Sequence, residues 1–405
     1  MSWEMTAIGN HCTVTSSKRF HLSERSNSGV PFYCSKEIIQ KNRGEEITDC
    51  DYISEEFYLN IAEKFGVPQE SDLLVTTRGT IGVPYLYRRN DRFYFADGNL
   101  TWIKDFKETL IPQFLYYWFL THEGQKKIDA IAKGTAQKAV PIADIKTLEI
   151  CLPPADVQRR ISGILSAYDN LIENNQRQIK LLEEAAQRLY KEWFVDLRFP
   201  GYETTHIVDG IPEGWTRCFL DDVIVFNPKV LLSKERNKQS VPMSALSTSS
   251  MVLNSSEFTM TESNSGSKFR NGDTLLARIT PCLENGKTAF VAGITSEEGA
   301  VGSTEFIVMR AKKINPYMVY LLARTEEFRK TAINSMTGSD GRQRAQVDKI
   351  MQFPYLLAPQ SLLETFSQLV EPIFEQVYLK NSQIAQLSQA RDRLLPKLMS
   401  GELEV

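Results

Sequence analysis

The sequence predicts an α+β protein built from two similar units, each a mixture of short strands and helices followed by one long helix. Three observations predict it. A segment running from Asp156 to Phe194 repeats apolar residues on a heptad. The same pattern returns near the C-terminus at a constant offset of 205 residues, as in Pro154 and Pro359. The stretches ahead of the two helices share landmarks in the same order.

In the first helical segment one seam position carries Leu165, Ile172, Ile179, Ala186 and Trp193, and the other carries Ile161, Tyr168, Asn175, Leu182 and Leu189. Alternating steps of three and four over about five heptads mark a helix that packs along another helix. Asp156 follows Pro153-Pro154 and is the expected N-cap, because its carboxylate can accept the free amide hydrogens of the first turn. In the second copy Ser361 takes that place, and Phe366, Val370, Ile373, Val377, Ile384, Leu387, Leu394 and Leu398 take the apolar seam, with Lys380 opposite Asn175 in the alignment. Identities such as Gln178/Gln383, Leu182/Leu387 and Arg188/Arg393 keep the same offset. A gapless match of pattern and identity over about forty residues makes the chain an internal duplication.

Read in chain order, residues 1–152 form the first unit, 153–196 the first long helix, 197–214 a linker, 215–358 the second unit, and 359–405 the second long helix with its tail. In the first unit, Trp3 to Val14 reads as a strand and turn, with Val30–Tyr33, Asp72–Thr77, Tyr85–Arg88 and Phe93–Phe95 as further strands. Pro112–Leu120 is an aromatic-rich helix, Lys133–Lys138 a glycine-containing polar loop, and Leu148–Leu152 the lead into the long helix. Pro200-Gly201, Asp209-Gly210 and Pro212 break regular structure in the linker. Beyond it Trp215 answers Trp3, Asp273–Ala277 ending at Arg278 answers Asp72–Thr77 ending at Arg78, Pro316–Leu322 answers Pro112–Leu120, and the loop Gly338–Arg342 answers Gly134–Lys138. Between landmarks the units diverge, which suggests one job done twice on two targets.

Composition narrows the class. The 405 residues suffice for two or three domains, and 42% hydrophobic with 24% charged residues is usual for a soluble globular protein. No apolar stretch approaches the roughly 20 residues that cross a bilayer, and MSWEMTAIGN has no signal-peptide pattern. Cys12, Cys34, Cys50, Cys151, Cys218 and Cys282 are scattered without a C-x-x-C pair, as expected of reduced thiols in a cytoplasm. A net charge of −3 gives no global sign of a nucleic-acid partner.

Catalytic patterns are missing from the sequence. Glu-x-Lys, the usual tail of a metal-dependent nuclease motif, does not occur, and neither a G-x-x-x-x-G-K-[ST] nor a G-x-G-x-x-G loop is present. Asn315-Pro316-Tyr317 reads as a helix start rather than an adenine-methyltransferase loop. His11, His21, His122 and His206 lack metal-ligand spacing, and His11-Cys12 reads as two strand residues on opposite faces. The expectation is a reader with no catalytic residues and no metal of its own.

The stretches DLLVTTRGTIG at 72–82, PPADVQRRISGIL at 153–165, LYKEWFVDLRFPG at 189–201, IPEGW at 211–215, GDTLLARITPCLENGKTA at 272–289, GSTEFIVMRA at 302–311 and RDRLLPKLMSGEL at 391–403 carry a likeness in their order and duplication. The chain resembles the specificity subunit of a type I restriction–modification enzyme over essentially its whole length. That resemblance implies two target-recognition domains separated by an antiparallel coiled coil of the two long helices, a pseudo-twofold repeat. It implies a bipartite double-stranded DNA site with one half read by each domain. Methylation and cleavage would belong to two modification (methyltransferase) subunits and to restriction (ATP-dependent translocase and nuclease) subunits, which bring S-adenosylmethionine, ATP and Mg2+. A helix of about 39 residues spans roughly 58 Å, more than one DNA turn of roughly 34–36 Å, so helix length could fix the unread spacer.

Candidate DNA contacts fall on matched loops: Arg78 and Thr80, then Lys133, Gln137 and Lys138, in the first unit; Arg278, then Arg342, Gln343 and Arg344, in the second. Arginine can pair with guanine O6 and N7 and glutamine with adenine N6 and N7, or either can hold a phosphate. A surface arginine in a local salt bridge is the plainer alternative. Asn175 and Lys380 could fix helix register or reach solvent. Glu371-Pro372 is expected to interrupt the second helix, Arg88, Arg89 and Arg92 to form a solvated hairpin face, and Tyr116–Phe119 to be core. A coiled-coil scaffold that binds only protein, and a fused enzyme, are the competing readings.

Overall fold

The structure is a computed structural model describing residues 3–19, 24–44, 47, 49–134, 138–233, 237–339 and 341–405. The chain divides into two compact units, Met1–Glu173 with Gln386–Val405, and Asn174–Ala385. The units are therefore not consecutive blocks of sequence. Each takes a globular part together with stretches of both long helices.

The first unit is centred on an antiparallel sheet in the order Thr13–Thr15, Leu100–Lys104, Leu73–Thr76, Pro84–Leu86. All four residues of Leu73–Thr76 are buried, as a near-continuous apolar run requires of a strand covered on both faces. Helix Pro112–Leu120 starts on a proline, whose missing N–H costs nothing in a first turn, and buries Phe114, Leu115, Tyr117, Trp118 and Phe119. The next helix, His122–Ile131, is capped by Thr121 Oγ1, which accepts from Gly124 N at 2.9 Å. A second sheet, Arg25–Ser26, Asp51–Ile53, Val30–Tyr33, Tyr94–Phe95, includes one parallel pairing. The pair Glu4–Ala7 and Glu149–Leu152 leads into the first long helix. His11 lies in the turn between Ile8–Asn10 and Thr13–Thr15, not in a strand, and its ring bonds Thr6 Oγ1 at 2.9 Å and Thr109 Oγ1 at 2.7 Å.

In the second unit the central sheet has the same order: Ile224–Phe226, Phe306–Ala311, Thr274–Ala277, Thr288–Phe290. The pair Thr216–Phe219 and Pro354–Leu357 and the helices Pro316–Ala323 and Glu326–Asn334 also recur. Asn315 Oδ1 caps the first of these helices through Met318 N at 2.8 Å. The second sheet differs. Thr259–Thr261, Lys238–Val241, Ala300–Gly302 and Ser267–Phe269 keep the parallel pairing but add their last strand on the opposite edge.

The first long helix covers Ala155–Tyr190 and ends in a π turn, Lys191–Val195; the second covers Gln360–Ser400. Both begin two residues earlier than those caps would set, so Asp156 and Ser361 lie inside first turns rather than at the caps. Asp156 instead pairs with Arg160 at 3.1 Å. The second helix continues through Pro372 without interruption.

In the second unit Phe366 packs against Tyr190, Trp193 and Phe194, with ring centroids 6.1, 5.5 and 4.8 Å away. In the first unit Ile161 and Leu165 share a core with Leu395, Leu398 and Met399. The end of the first helix thus meets the start of the second in one unit, and its start meets the end of the second in the other. The helices run antiparallel. Of the remaining seam residues, Ile172, Asn175, Ile179, Val370 and Val377 are buried. Tyr168, Leu182, Leu189, Ile373, Lys380, Ile384, Leu387 and Leu394 are half-buried. Phe374 is fully buried beside half-buried Ile373, so the seam of the second helix passes through Phe374.

Candidate nucleic-acid interface

Each central sheet ends beside the glycine loop that follows the helical pair. In the first unit Lys133 and Ala139 exchange backbone hydrogen bonds of 2.8 and 2.9 Å, Ala139 bridges Arg78, and Val140 N donates to Thr77 O at 2.9 Å. In the second, Thr337 and Arg344 exchange bonds of 3.1 and 2.9 Å, Arg344 bridges Ile279, and Ala345 N donates to Arg278 O at 2.8 Å. The same clasp is built twice.

The ladder corrects one correspondence. Thr76 pairs with Leu100 and Ala277 with Phe306, and the next residues, Thr77 and Arg278, donate to Asn99 O and Glu305 O at 2.8 and 3.0 Å. Arg278 is therefore the counterpart of Thr77, and Arg78 that of Ile279. The two arginines align by identity but are one residue out of register, which turns their side chains to opposite faces. Arg78 is exposed, whereas Arg278 is partly buried with its Nε 3.9 Å from Glu305.

Around the first clasp Thr80 is exposed. Lys133 Nζ pairs with Asp144 at 2.6 Å and Lys138 Nζ with Asp129 at 2.6 Å. Gln137 lies outside the described residues. Around the second clasp Arg342 is exposed and Gln343 half-buried, its carbonyl accepting from Thr280 N at 3.1 Å. Arg344 binds Glu305 in a fork, Nε at 3.0 Å and Nη2 at 2.6 Å from Oε1. That hydrogen bond, more than the nearby charges of Arg344 and Arg278, holds the Glu305 carboxyl below the usual carboxylate range. Sequence reasoning missed Glu305, Asn99, Asp129 and Asp144, because each reaches its partner through a non-local strand pairing or turn.

Two of the hairpin arginines are engaged rather than merely solvated, Arg88 binding Glu173 at 2.8 Å and Arg92 pairing with Glu55, while Arg89 is exposed. Tyr117 is core, but its hydroxyl donates to Asp169 at 2.6 Å, and the same carboxylate accepts from Arg391 at 2.7 Å. One helix of the globular part and both long helices therefore meet on one carboxylate. Among the described residues no His, Cys, Asp and Glu grouping could hold a metal, and no helix is long and apolar enough to cross a membrane.

A family model described as the type I restriction modification DNA specificity domain matches residues 1–184. The chain is 27% identical over 308 residues to the type I restriction enzyme MjaIX specificity subunit of Methanocaldococcus jannaschii, covering 74% of this chain and 71% of that one. It is 32% identical over 171 residues to the type I restriction enzyme EcoAI specificity subunit of Escherichia coli, covering 40% of this chain and 28% of that one. Among solved structures, the fold is similar to the S subunit of a type I restriction–modification system from M. genitalium, with a TM-score of 0.59 at 15% identity over 98% of this chain and 96% of that one.

Proposed function

We propose that the chain is a specificity subunit of a type I restriction–modification system, and that each α+β unit reads one half of a bipartite double-stranded DNA site. The observation that carries this reading is the repeated clasp. The same backbone bridge joins strand end to glycine loop in both units, while the side chains it presents differ, Arg78 and Ala139 against Ile279 and Arg344. A shared frame with different polar loops is what reading two unlike sequences requires.

In this reading the paired helices, 36 and 41 residues long, set the spacing between half-sites and dock two modification subunits. Restriction subunits complete the assembly. The chain supplies no catalytic residue; S-adenosylmethionine, ATP and Mg2+ belong to the partners, and the complex works in the cytoplasm. Phosphate contacts by the partners would offset the slightly acidic chain, whose net charge is −3.

The test is genome-wide mapping of methyladenine in a methylation-free host expressing the chain with its cognate modification subunit. A split motif that needs the chain, and of which one half changes when residues 215–358 are exchanged, is the expected result. No methylation from an assembled, cofactor-loaded complex would favour the coiled-coil scaffold. Binding with a shallow salt dependence would point the same way, since phosphate neutralisation gives a steep one.

A further inference from the structure

Resting on the reading of the second unit as a half-site reader, we propose that Arg344 reads a guanine in the major groove and that Glu305 is its positioning residue. The fork from Glu305 occupies the Nε–Nη2 edge of the Arg344 guanidinium. The Nη1–Nη2 edge has no partner among the described residues, and the side chain is 43% exposed. That end presents two parallel N–H donors, the geometry that matches guanine O6 and N7.

Glu305 confers two further properties. It fixes the plane of the guanidinium, so less side-chain freedom is lost when a base is engaged. Its single charge faces two cations, Arg344 at 2.6 Å and Arg278 at 3.9 Å, so the cluster keeps a net positive charge that favours approach to DNA. Arg278 Nε is buried without a hydrogen-bond partner, leaving the carboxylate committed to Arg344. The matched positions of the first unit are Ala139 and Asn99, which can form no such pair. This carboxylate-positioned contact therefore has no counterpart in the first unit.

The test uses the complex with the cognate modification subunit. Methyladenine mapping of the wild type should show a guanine in the half-site that follows the second unit on domain exchange. Arg344→Ala should leave that position open to any base with the other half unchanged; Arg344→Lys and Glu305→Gln should relax it less. On duplexes, replacing that guanine by 7-deazaguanine removes the N7 acceptor. It should weaken wild-type binding on the order of tenfold and leave Arg344→Ala binding unmoved. Should Arg344→Ala fail to assemble, the wild-type measurement decides: indifference to 7-deazaguanine at every guanine of that half-site overturns the proposal. So does an undiminished guanine requirement in Arg344→Ala, or uniform weakening with a shallower salt slope, which marks a phosphate contact. No motif from the assembled wild-type complex overturns the reader itself, and the proposal with it.

Discussion

The two α+β units agree where they share a core with the long helices and differ where they do not. Central strands and the long helices contribute to one core in each unit: Leu73, Ile103, Ile161 and Leu165 in the first, Leu276, Ile307, Phe366 and Val370 in the second. The second sheets pack into clusters that hold no long-helix residue, with Val30, Phe32 and Tyr94 in one unit and Val241, Phe269 and Ala300 in the other, the latter together with Leu275 and Phe306 of the central sheet. In the first unit helices Ser35–Asn42 and Glu55–Phe65 flank that sheet's strand Asp51–Ile53; in the second the extra element is the edge strand Ser267–Phe269. Packing against a helix fixes volume and register on one side of each unit. A cluster without long-helix residues lets the other side be rebuilt while the helix-facing core keeps its packing.

If that is so, truncations in the shared cores should cost alike in both units. Phe366→Ala is expected to lose about 3–5 kcal/mol and Leu165→Ala about 2–5 kcal/mol, read as shifts in urea denaturation of the full chain. A near-neutral result for either would break the symmetry.

Matched carboxylates should, by contrast, behave unequally. Asp72 and Asp273 open equivalent strands and accept from Gln69 N and Arg270 N, each at 2.8 Å. Asp72 also accepts from Trp102 Nε1 at 2.8 Å, whereas Asp273 holds the Arg310 guanidinium at 2.7 and 2.6 Å. Asp273→Ala strands a cation that is only 17% exposed and should cost about 3–5 kcal/mol. Asp72→Ala strands neutral donors and should cost about 1–3 kcal/mol. Equal losses in the same denaturation experiment would mean that the ion pair adds nothing.

The smallest expected effect is one of pH. Burial raises the Asp72 carboxyl above its ordinary value, its hydrogen bonds only partly opposing this. Its contribution to stability is full below the unfolded value and is lost as pH rises through the folded one. Hydrogen bonding to Arg344 lowers Glu305, so its contribution is present above the unfolded value and is lost as pH falls through the folded one. Denaturation across acid to neutral pH should show Asp72→Asn removing a loss of stability on the rising side, and Glu305→Gln removing one on the acid side. The same sign for both would refute the contrast.

Local periodicity made the helices legible in the sequence: the heptads of Ile161 to Leu189 and of Phe366 to Leu398, and the aromatic helix Pro112–Leu120, need only neighbours along the chain. Register across strands was not legible. Arg78 and Arg278 invite alignment because they are identical, yet the ladder sets Arg278 against Thr77, a relation visible only through the partner strands at Leu100 and Phe306. Glu305 was hidden for the same reason. It precedes one strand and meets Arg344 from a loop 39 residues away.

The discontinuous first unit also bears on how the chain is made. Met1–Glu173 leaves the ribosome first, but Leu395, Leu398 and Met399, which cover Ile161 and Leu165, belong to Gln386–Val405 and emerge after all of Asn174–Ala385. The unit begun earliest is the one finished latest, and during elongation its half of the first helix carries an uncovered apolar stripe. Chains released from the ribosome after Ala385 should therefore show the second unit protease-resistant and the first still cleavable, the reverse of the usual order from N-terminus to C-terminus.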